Sequence, residues 1–277
     1  MKKVLVTSGC SFTHDFPTWA HHLAALKDMS LANVAMSGCG NHIISSELIR
    51  KIEQLKESGI NKEDMFVVVQ WSGLFRFDFI VDKKIHKNPV RPVHLANGKP
   101  GEKNRAFKEP EGTSNQWIMS AGSKDKSIWP DLYWVISKEQ AFVETMEQIL
   151  RTQWYLKSQG IKYKMFTGWD IFTDGSASIV GTDKILKTNQ FTDENYTSIN
   201  NDLLADNCKW FGYLFDMIDL NHFWFYNDKK IKLGGMLQWM KSNISADKRY
   251  IRPGDFHPSL ESHKRFAVEI ISNLLDE

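Results

Sequence analysis

Met65-Phe66-Val67-Val68-Val69 predicts a strand that is buried on both faces, because an unbroken apolar run rich in β-branched residues is typical of a parallel sheet. Two shorter units precede it. Lys3 to Thr7 predicts a first strand, and Pro17 to Lys27 predicts the helix that follows. Leu31 to Ala35 and Ile43 to Lys56 repeat that order of strand and helix. We therefore expect the Met65–Val69 strand at the centre of a sheet.

The second half of the chain continues the alternation. Ile136 to Gly160 predicts a long amphipathic helix with Gly160 as its C-terminal cap, and Lys162 to Thr167 predicts the next strand. Ser259 to Leu275 predicts a final helix, and the aromatic-rich stretch Leu214 to Tyr226 is assigned mainly to the core. Alternating strands and helices predict a three-layer α/β/α fold with a mostly parallel, flavodoxin-like sheet. We interpret residues 1–277 as one such domain.

A polar segment from Lys83 to Pro130 interrupts this pattern. It has no hydrophobic periodicity and is punctuated by proline and glycine. Between Lys83 and Lys108 it carries eight lysines and arginines against one acidic residue, Glu102. A long loop inside a compact domain is usually functional, so the segment is interpreted as a lid or specificity insert. It is either a solvated loop or a local site for anionic ligands.

Composition excludes several classes of protein. The 277 residues include 35 basic and 33 acidic side chains, so the net charge of +2 gives no general attraction to nucleic acid. No apolar run approaches the roughly 18 residues that span a bilayer. Three scattered cysteines predict neither a disulfide framework nor a zinc site, and they favour a reducing, cytoplasmic compartment. No metal or other cofactor is predicted, and the oligomeric state stays open.

Two segments near the ends of the chain carry residues suited to nucleophilic catalysis. Gly9-Cys10-Ser11-Phe12-Thr13 places a serine on a tight turn between the first strand and a helix. Asp255-Phe256-His257-Pro258 lies directly before the last helix, and residues at i and i+2 of an extended segment face the same side. Taken singly, Ser11 reads as a turn or capping residue and His257 as a surface residue.

Taken together, these segments resemble the SGNH, or GDSL-like, hydrolase family. The Gly9–Phe12 turn resembles the family's first block, and Asn33-Val34-Ala35-Met36-Ser37-Gly38 resembles the glycine block after the second strand. Asp255–Pro258 resembles the last block, although many members have two residues between Asp and His where this chain has one. The likeness covers nearly the whole chain except the insert. It implies a serine esterase with a parallel α/β fold.

The resemblance also implies roles for individual residues. Ser11 is the expected nucleophile, His257 the general base and Asp255 the residue that orients the imidazole. The backbone N–H groups of Ser11 and Gly38 are expected to form the oxyanion hole.

The third oxyanion donor is left open by the sequence. Family members usually carry an asparagine after the third strand, whereas this chain has Gln70-Trp71-Ser72-Gly73 there. Ser72 and Asn41 are the candidates to replace it, and Arg76 is a further one if the substrate is anionic.

The aromatic surplus bears on the substrate. The chain contains 17 Phe, 10 Trp and 7 Tyr, and large rings either fill cores or line sugar-like sites. Trp71, Trp169 and Arg76 fall after strands, where a cleft is expected, and are predicted to bind substrate. A small-molecule or glycan ester, especially an O-acetylated carbohydrate, is the expected substrate. The alternatives are an acyltransferase and a catalytically inactive domain that binds a glycan or serves a structural role.

Overall fold

The structure is a computed structural model that describes residues 2–14, 17–74, 76–82, 115–119, 136–172, 210–228 and 233–276. The strands among these residues are β1 (Val4–Ser8), β2 (Ser30–Asn33), β3 (Met65–Trp71), β4 (Asp78–Asp82), β5 (Asn115–Met119), β6 (Lys162–Thr167) and β7 (Phe223–Trp224). The helices are α1 (Ser11–His14), α2 (Trp19–Leu26), α3 (Asn41–Glu57), α4 (Lys138–Gln159), α5 (Gly212–Asp216), α6 (Met236–Asn243), α7 (Ala246–Arg249), α8 (Leu260–Phe266) and α9 (Ser272–Asp276). A 3₁₀ turn spans Lys62–Asp64, and a π-helical segment, Ala267–Ile271, joins α8 to α9.

Five strands form one parallel sheet in the order β2-β1-β3-β6-β7. The predicted central strand is confirmed, because β3 has two neighbours on each side. Its Val67, Val68 and Val69 are completely buried, as the continuous apolar run requires. On the helical layers, α3 packs on α4, and α2 packs on α8 and the π-helical segment. The predicted three-layer α/β fold is confirmed.

The strand order places a crevice at the carboxyl ends of β1 and β3. After β1 the chain continues to β2 on one side of it, and after β2 it crosses to β3 on the other side of β1. The connections that follow β1 and β3 therefore run to opposite sides of the sheet. In open α/β sheets such a switch point is where ligands bind. Both turns that the sequence singled out, after β1 and after β2, lie at this edge.

Several boundaries differ from the sequence-based ones. The second strand ends at Asn33, so Val34 and Ala35 belong to the following turn, and α3 begins at Asn41, two residues earlier than predicted. The long helix ends as predicted at Gly160, which adopts the left-handed conformation with φ of 66°. The last helix is present, but it contains the π-helical segment in its middle.

The insert is not entirely without secondary structure. Asn115–Met119 forms β5, which pairs antiparallel with β4, so the prediction of an unstructured segment is wrong at that point. The basic stretch from 83 to 108 lies outside the described residues, and so does the rest of the insert beyond 119.

The aromatic segment near residue 220 packs largely inside the protein. Phe215 and Phe223 are buried, and their rings meet that of Phe172 edge to face. Phe223 and Phe225 stack with ring centroids 4.5 Å apart. These rings therefore belong to the core. None of the helices in the described ranges combines the length and the hydrophobicity that crossing a bilayer requires.

Candidate active site

Ser11, His257 and Asp255 form a continuous chain of short contacts. His257 Nε2 lies 3.0 Å from Ser11 Oγ, although the two residues are 246 positions apart in sequence. His257 Nδ1 lies 2.6 Å from Asp255 Oδ1. Ser11 is only 8% exposed, whereas the His257 side chain is 42% exposed. The imidazole thus bridges a sheltered hydroxyl and a carboxylate.

The loop that carries Asp255 and His257 is folded back on itself. The backbone N–H of Ile251 donates to the carbonyl of His257 at 3.1 Å, and Gly254 takes the left-handed φ of 79° that the reversal requires. Asp255 Oδ1 also accepts the backbone N–H of His257 at 2.9 Å, which forms an Asx-turn. The spacing of one residue therefore lets a single carboxylate hold both the backbone and the ring of His257.

Asp255 is ionised more readily than an ordinary aspartate. Partial burial of the carboxyl group opposes ionisation, but hydrogen bonds from the backbone and ring of His257 outweigh it and lower the pKa of Asp255. The exposed guanidinium of Arg252, 3.3 Å from Asp255 Oδ2, acts in the same direction. A carboxylate in this state favours the tautomer in which Nδ1 carries the proton and Nε2 faces Ser11 as an acceptor.

The turn that presents Ser11 is fixed from the neighbouring strand. Ser11 is the first residue of α1, and the carbonyl of Cys10 accepts the N–H groups of Thr13 and His14 at 2.9 and 3.0 Å. Gln70, near the end of β3 and fully buried, accepts the Cys10 N–H and the Thr13 hydroxyl through Oε1, both at 3.1 Å.

Gly9 is required at this close approach. A Cβ there would lie 2.5 Å from Thr13 Oγ1 and 2.8 Å from Gln70 Oε1. Thr13, which replaces the second glycine of a GxSxG elbow, is thus part of the hydrogen-bonded support.

The turn that contains Gly38 lies against the Ser11 turn. The carbonyl of Gly9 accepts the Met36 N–H at 3.0 Å and the Cys39 thiol at 3.4 Å. Gly38 has φ of 83°, a conformation that favours glycine. Burial raises the pKa of the Cys39 thiol, which is therefore a packing group and not a thiolate. The structure brings together the two turns whose N–H groups the sequence predicted for the oxyanion hole.

Asn41 does not fit the predicted role of oxyanion donor. Its Nδ2 donates to the carbonyl of Ser72 at 3.2 Å and to Thr145 Oγ1 at 3.1 Å, and its Oδ1 accepts the Ser72 N–H at 2.8 Å. Both amide hydrogens are therefore already used to fasten the start of α3 to the end of β3 and to α4. Ser72 differs, because its buried hydroxyl has no hydrogen-bond partner.

Asp78 supports the start of α3 and was not found from the sequence. Its Oδ1 accepts the Gly40 N–H at 2.9 Å and its Oδ2 accepts the Ile43 N–H at 3.1 Å. Burial raises the pKa of Asp78 to about 7, although these two hydrogen bonds and the charge of Arg76 oppose the rise. A Cβ on Gly40 would lie 1.8 Å from the Arg76 carbonyl oxygen, so the segment after β3 rests directly on this turn.

The two tryptophans that were predicted to contact the substrate are buried. Trp71 is 0% exposed and Trp169 is 3% exposed, so neither ring offers a face to a ligand. Phe12 meets Trp169 edge to face at 5.5 Å and meets the His257 ring at 5.9 Å. Arg76 lies over Trp169, with its guanidinium carbon 4.8 Å from the ring centroid. The predicted substrate contacts of Trp71 and Trp169 do not fit their burial, whereas Arg76 is half-buried at the site.

Comparisons with known proteins add no assignment. No protein-family model matches the chain, and no curated protein is significantly similar to it in sequence. In the part of the chain that the structure describes, no group of three His, Cys, Asp or Glu side chains is arranged to hold a metal ion.

Proposed function

We propose that this protein is a serine esterase of the SGNH type. The observation that supports it most is the chain of contacts from Asp255 through His257 to Ser11, at 2.6 and 3.0 Å. A serine within hydrogen-bond reach of a base that is itself oriented by a third group is the signature of an activated nucleophile. The position of Ser11 at the switch point of the sheet agrees with this role.

The proposed reaction is acyl transfer to water in two steps. His257 Nε2 takes the proton of Ser11 Oγ as that oxygen attacks the ester carbonyl, and the imidazolium then gives the proton to the leaving alcohol. The product of this step is an acyl-Ser11 ester. Water, deprotonated by His257, attacks that ester, and the acid leaves as Ser11 regains its proton. Asp255 holds the imidazole orientation throughout.

The developing oxyanion needs donors close to Ser11. The backbone N–H groups of Ser11 and Gly38 are the first two, because their turns are joined through the Gly9 carbonyl. Ser72 is the proposed third donor, since its hydroxyl is not engaged by another group. One such donor typically contributes about 10²–10³ in rate.

The class of ester remains a prediction. A carbohydrate ester was expected from aromatic rings in a cleft, and the burial of Trp71 and Trp169 removes that support. An acyltransferase would use the same first step, and it would form product only when an acceptor other than water is supplied.

Covalent labelling with a fluorophosphonate probe tests the proposal. We expect labelling of Ser11, hydrolysis of 4-nitrophenyl acetate, and loss of both in Ser11→Ala and His257→Ala. Ser58→Ala is the matched control, because this exposed serine hydroxyl only donates to the Gln54 carbonyl at the end of α3. A folded protein that is neither labelled nor active on a range of acyl esters would overturn the proposal.

A further inference from the structure

Arg76 has one unsatisfied guanidinium nitrogen near the candidate site. Its Nη1 is buried and has no hydrogen-bond partner. Its backbone N–H donates to the carbonyl of Gly73 at 3.3 Å, and its guanidinium carbon lies 4.8 Å from the Trp169 ring centroid. A charged donor that is removed from water and left unpaired is costly, so a structure that keeps one needs a compensating partner.

The position of Arg76 connects it to the reacting groups. Its carbonyl oxygen packs on Gly40, two residues after Gly38 in the second turn. Its side chain lies on Trp169, which also meets Phe12, the residue next to Ser11. Arg76 is therefore linked to the Ser11 turn through Trp169 and Phe12, and to the turn after β2 through its own carbonyl.

Asp78 does not neutralise Arg76 by a direct contact. Both Asp78 oxygens accept backbone N–H groups at the start of α3, and the two residues interact only through charge. Across the described ranges, Arg76 forms no ion pair with any carboxylate. The guanidinium thus lies against Trp169 with one nitrogen, Nη1, unpaired, and a guanidinium N–H group is the donor that recognises a carboxylate.

We infer that Arg76 binds an anionic group of the substrate, so that the preferred esters carry a carboxylate. This inference rests on the proposed esterase function. The carboxylate belongs to either the acyl part or the alcohol part of the ester, and the chemistry of recognition is the same in both cases. Arg76 is then a specificity-determining residue, distinct from a donor to the oxyanion, which would act on all esters alike.

Two pairs of esters test the inference and distinguish the two parts. Mono-4-nitrophenyl succinate and 4-nitrophenyl butyrate differ in charge on the acyl side, and 4-acetoxybenzoate and 4-acetoxybenzamide differ in charge on the alcohol side. The measured quantity is the ratio of kcat/KM for the anionic and the neutral member of each pair. Loss of a charge-assisted pair corresponds to about 10- to 100-fold, so we expect Arg76→Gln to lower one ratio by that factor. The pair that responds identifies the side that carries the charge.

Two further variants separate specificity from structure. Arg76→Lys keeps the charge but not the planar fork, so we expect it to lose part of the preference. Arg265→Gln is the control, because Arg265 lies on the last helix and pairs with the exposed Glu269. We expect it to leave both ratios unchanged. If both ratios in Arg76→Gln equal those of the parent, or if anionic and neutral esters lose activity equally, the inference is overturned.

A binding measurement keeps this inference separate from the esterase proposal. In a Ser11→Ala background, ligand-observed NMR compares monomethyl succinate with methyl butyrate, with and without Arg76→Gln. One outcome is that monomethyl succinate binds selectively, that this binding requires Arg76, and that the parent protein with Ser11 hydrolyses no ester. This outcome would support the anion site and overturn the esterase proposal. The opposite outcome is that the parent hydrolyses esters, that Arg76→Gln leaves both ratios of kcat/KM unchanged, and that binding does not depend on Arg76. This outcome would support the esterase proposal and overturn the anion site. Thermal melting confirms that each variant is folded.

Discussion

Gln70 Oε1 accepts the backbone N–H of Cys10 at 3.1 Å, so the residue before the proposed nucleophile is held by the neighbouring strand. Gln70 Nε2 in turn donates to the carbonyl of Trp71 at 2.6 Å, which fixes the amide orientation. The amide thus joins the ends of β1 and β3 across the switch point. We therefore expect Gln70 to be a positioning residue, because it is fully buried and bonds to the turn that carries Ser11.

Gln70→Leu is expected to weaken both the fold and the reaction. The substitution leaves the buried Cys10 N–H and Thr13 hydroxyl without their acceptor, which costs about 1–3 kcal/mol in the free energy of unfolding. Urea denaturation measures this loss. We also expect kcat to fall while KM changes little, since the Ser11 turn is no longer fixed. Gln54→Leu, at an exposed position on α3, is the control, and equal stability of the two variants would contradict the role of Gln70.

Asp255→Asn is expected to reduce kcat by about 10³–10⁴. The amide cannot stabilise the imidazolium, and it favours the tautomer in which Nε2 carries the proton and is no base towards Ser11. Steady-state kinetics on 4-nitrophenyl acetate measures the change. Arg252→Gln removes only an exposed ion pair of Asp255, so a loss of similar size in that variant would contradict the assignment.

Ser72→Ala is expected to lower activity without lowering stability. The hydroxyl is buried and unpaired, so its removal relieves a desolvation cost, and the free energy of unfolding stays constant or rises by about 1 kcal/mol. Loss of the third oxyanion donor lowers kcat by about 10²–10³. Kinetics and denaturation on the same preparation measure both effects.

Ser45→Ala is the matched control for Ser72→Ala. The Ser45 hydroxyl is also buried, but it bonds to Thr152 Oγ1 at 2.7 Å and to Arg151. We expect this variant to lose stability and keep its activity. Unchanged kcat in Ser72→Ala would exclude Ser72 as a donor.

Asp78 is expected to make stability fall as the pH rises. Burial raises its pKa from 3.8 to about 7, so between these values the folded protein binds the proton more tightly than the unfolded chain does. The associated stability is fully present below pH 3.8 and is lost as the pH rises through about 7. Asp78→Asn removes this titration. The free energy of unfolding of the parent, relative to that of Asp78→Asn, should therefore fall from pH 5 to pH 8. A constant difference between the two proteins would contradict the prediction.

The sequence predicted the strands and the main candidate residues of the site, but not the hydrogen bonds that hold them in place. Val67, Val68 and Val69 identified the central strand because burial on both faces demands a continuous apolar run. Ser11 and His257 were predicted because the turn after the first strand and the Asp255–Pro258 segment before the last helix together resemble a known family. Their mutual distance depends on how the C-terminal loop docks, which no local pattern encodes.

Gln70 and Asp78 were missed for a physical reason. Each is a polar residue at a strand end, where it resembles a solvated terminus, and each is explained only by backbone groups 60 and 38 positions away, Cys10 and Gly40. The hydrogen bonds that engage Asn41 could not be predicted for the same reason, since its amide partners, Ser72 and Thr145, are distant in sequence. Satisfied buried polar groups become recognisable only once the chain is folded.

The contact between Ser11 and His257 joins residues 246 positions apart, so it exists only while the loop that carries Asp255 and His257 is docked on the turn after β1. Local opening of that loop separates His257 Nε2 from Ser11 Oγ without unfolding the parallel sheet. The contact is therefore governed by the free energy of docking one loop, which is a smaller quantity than the free energy of unfolding the whole protein.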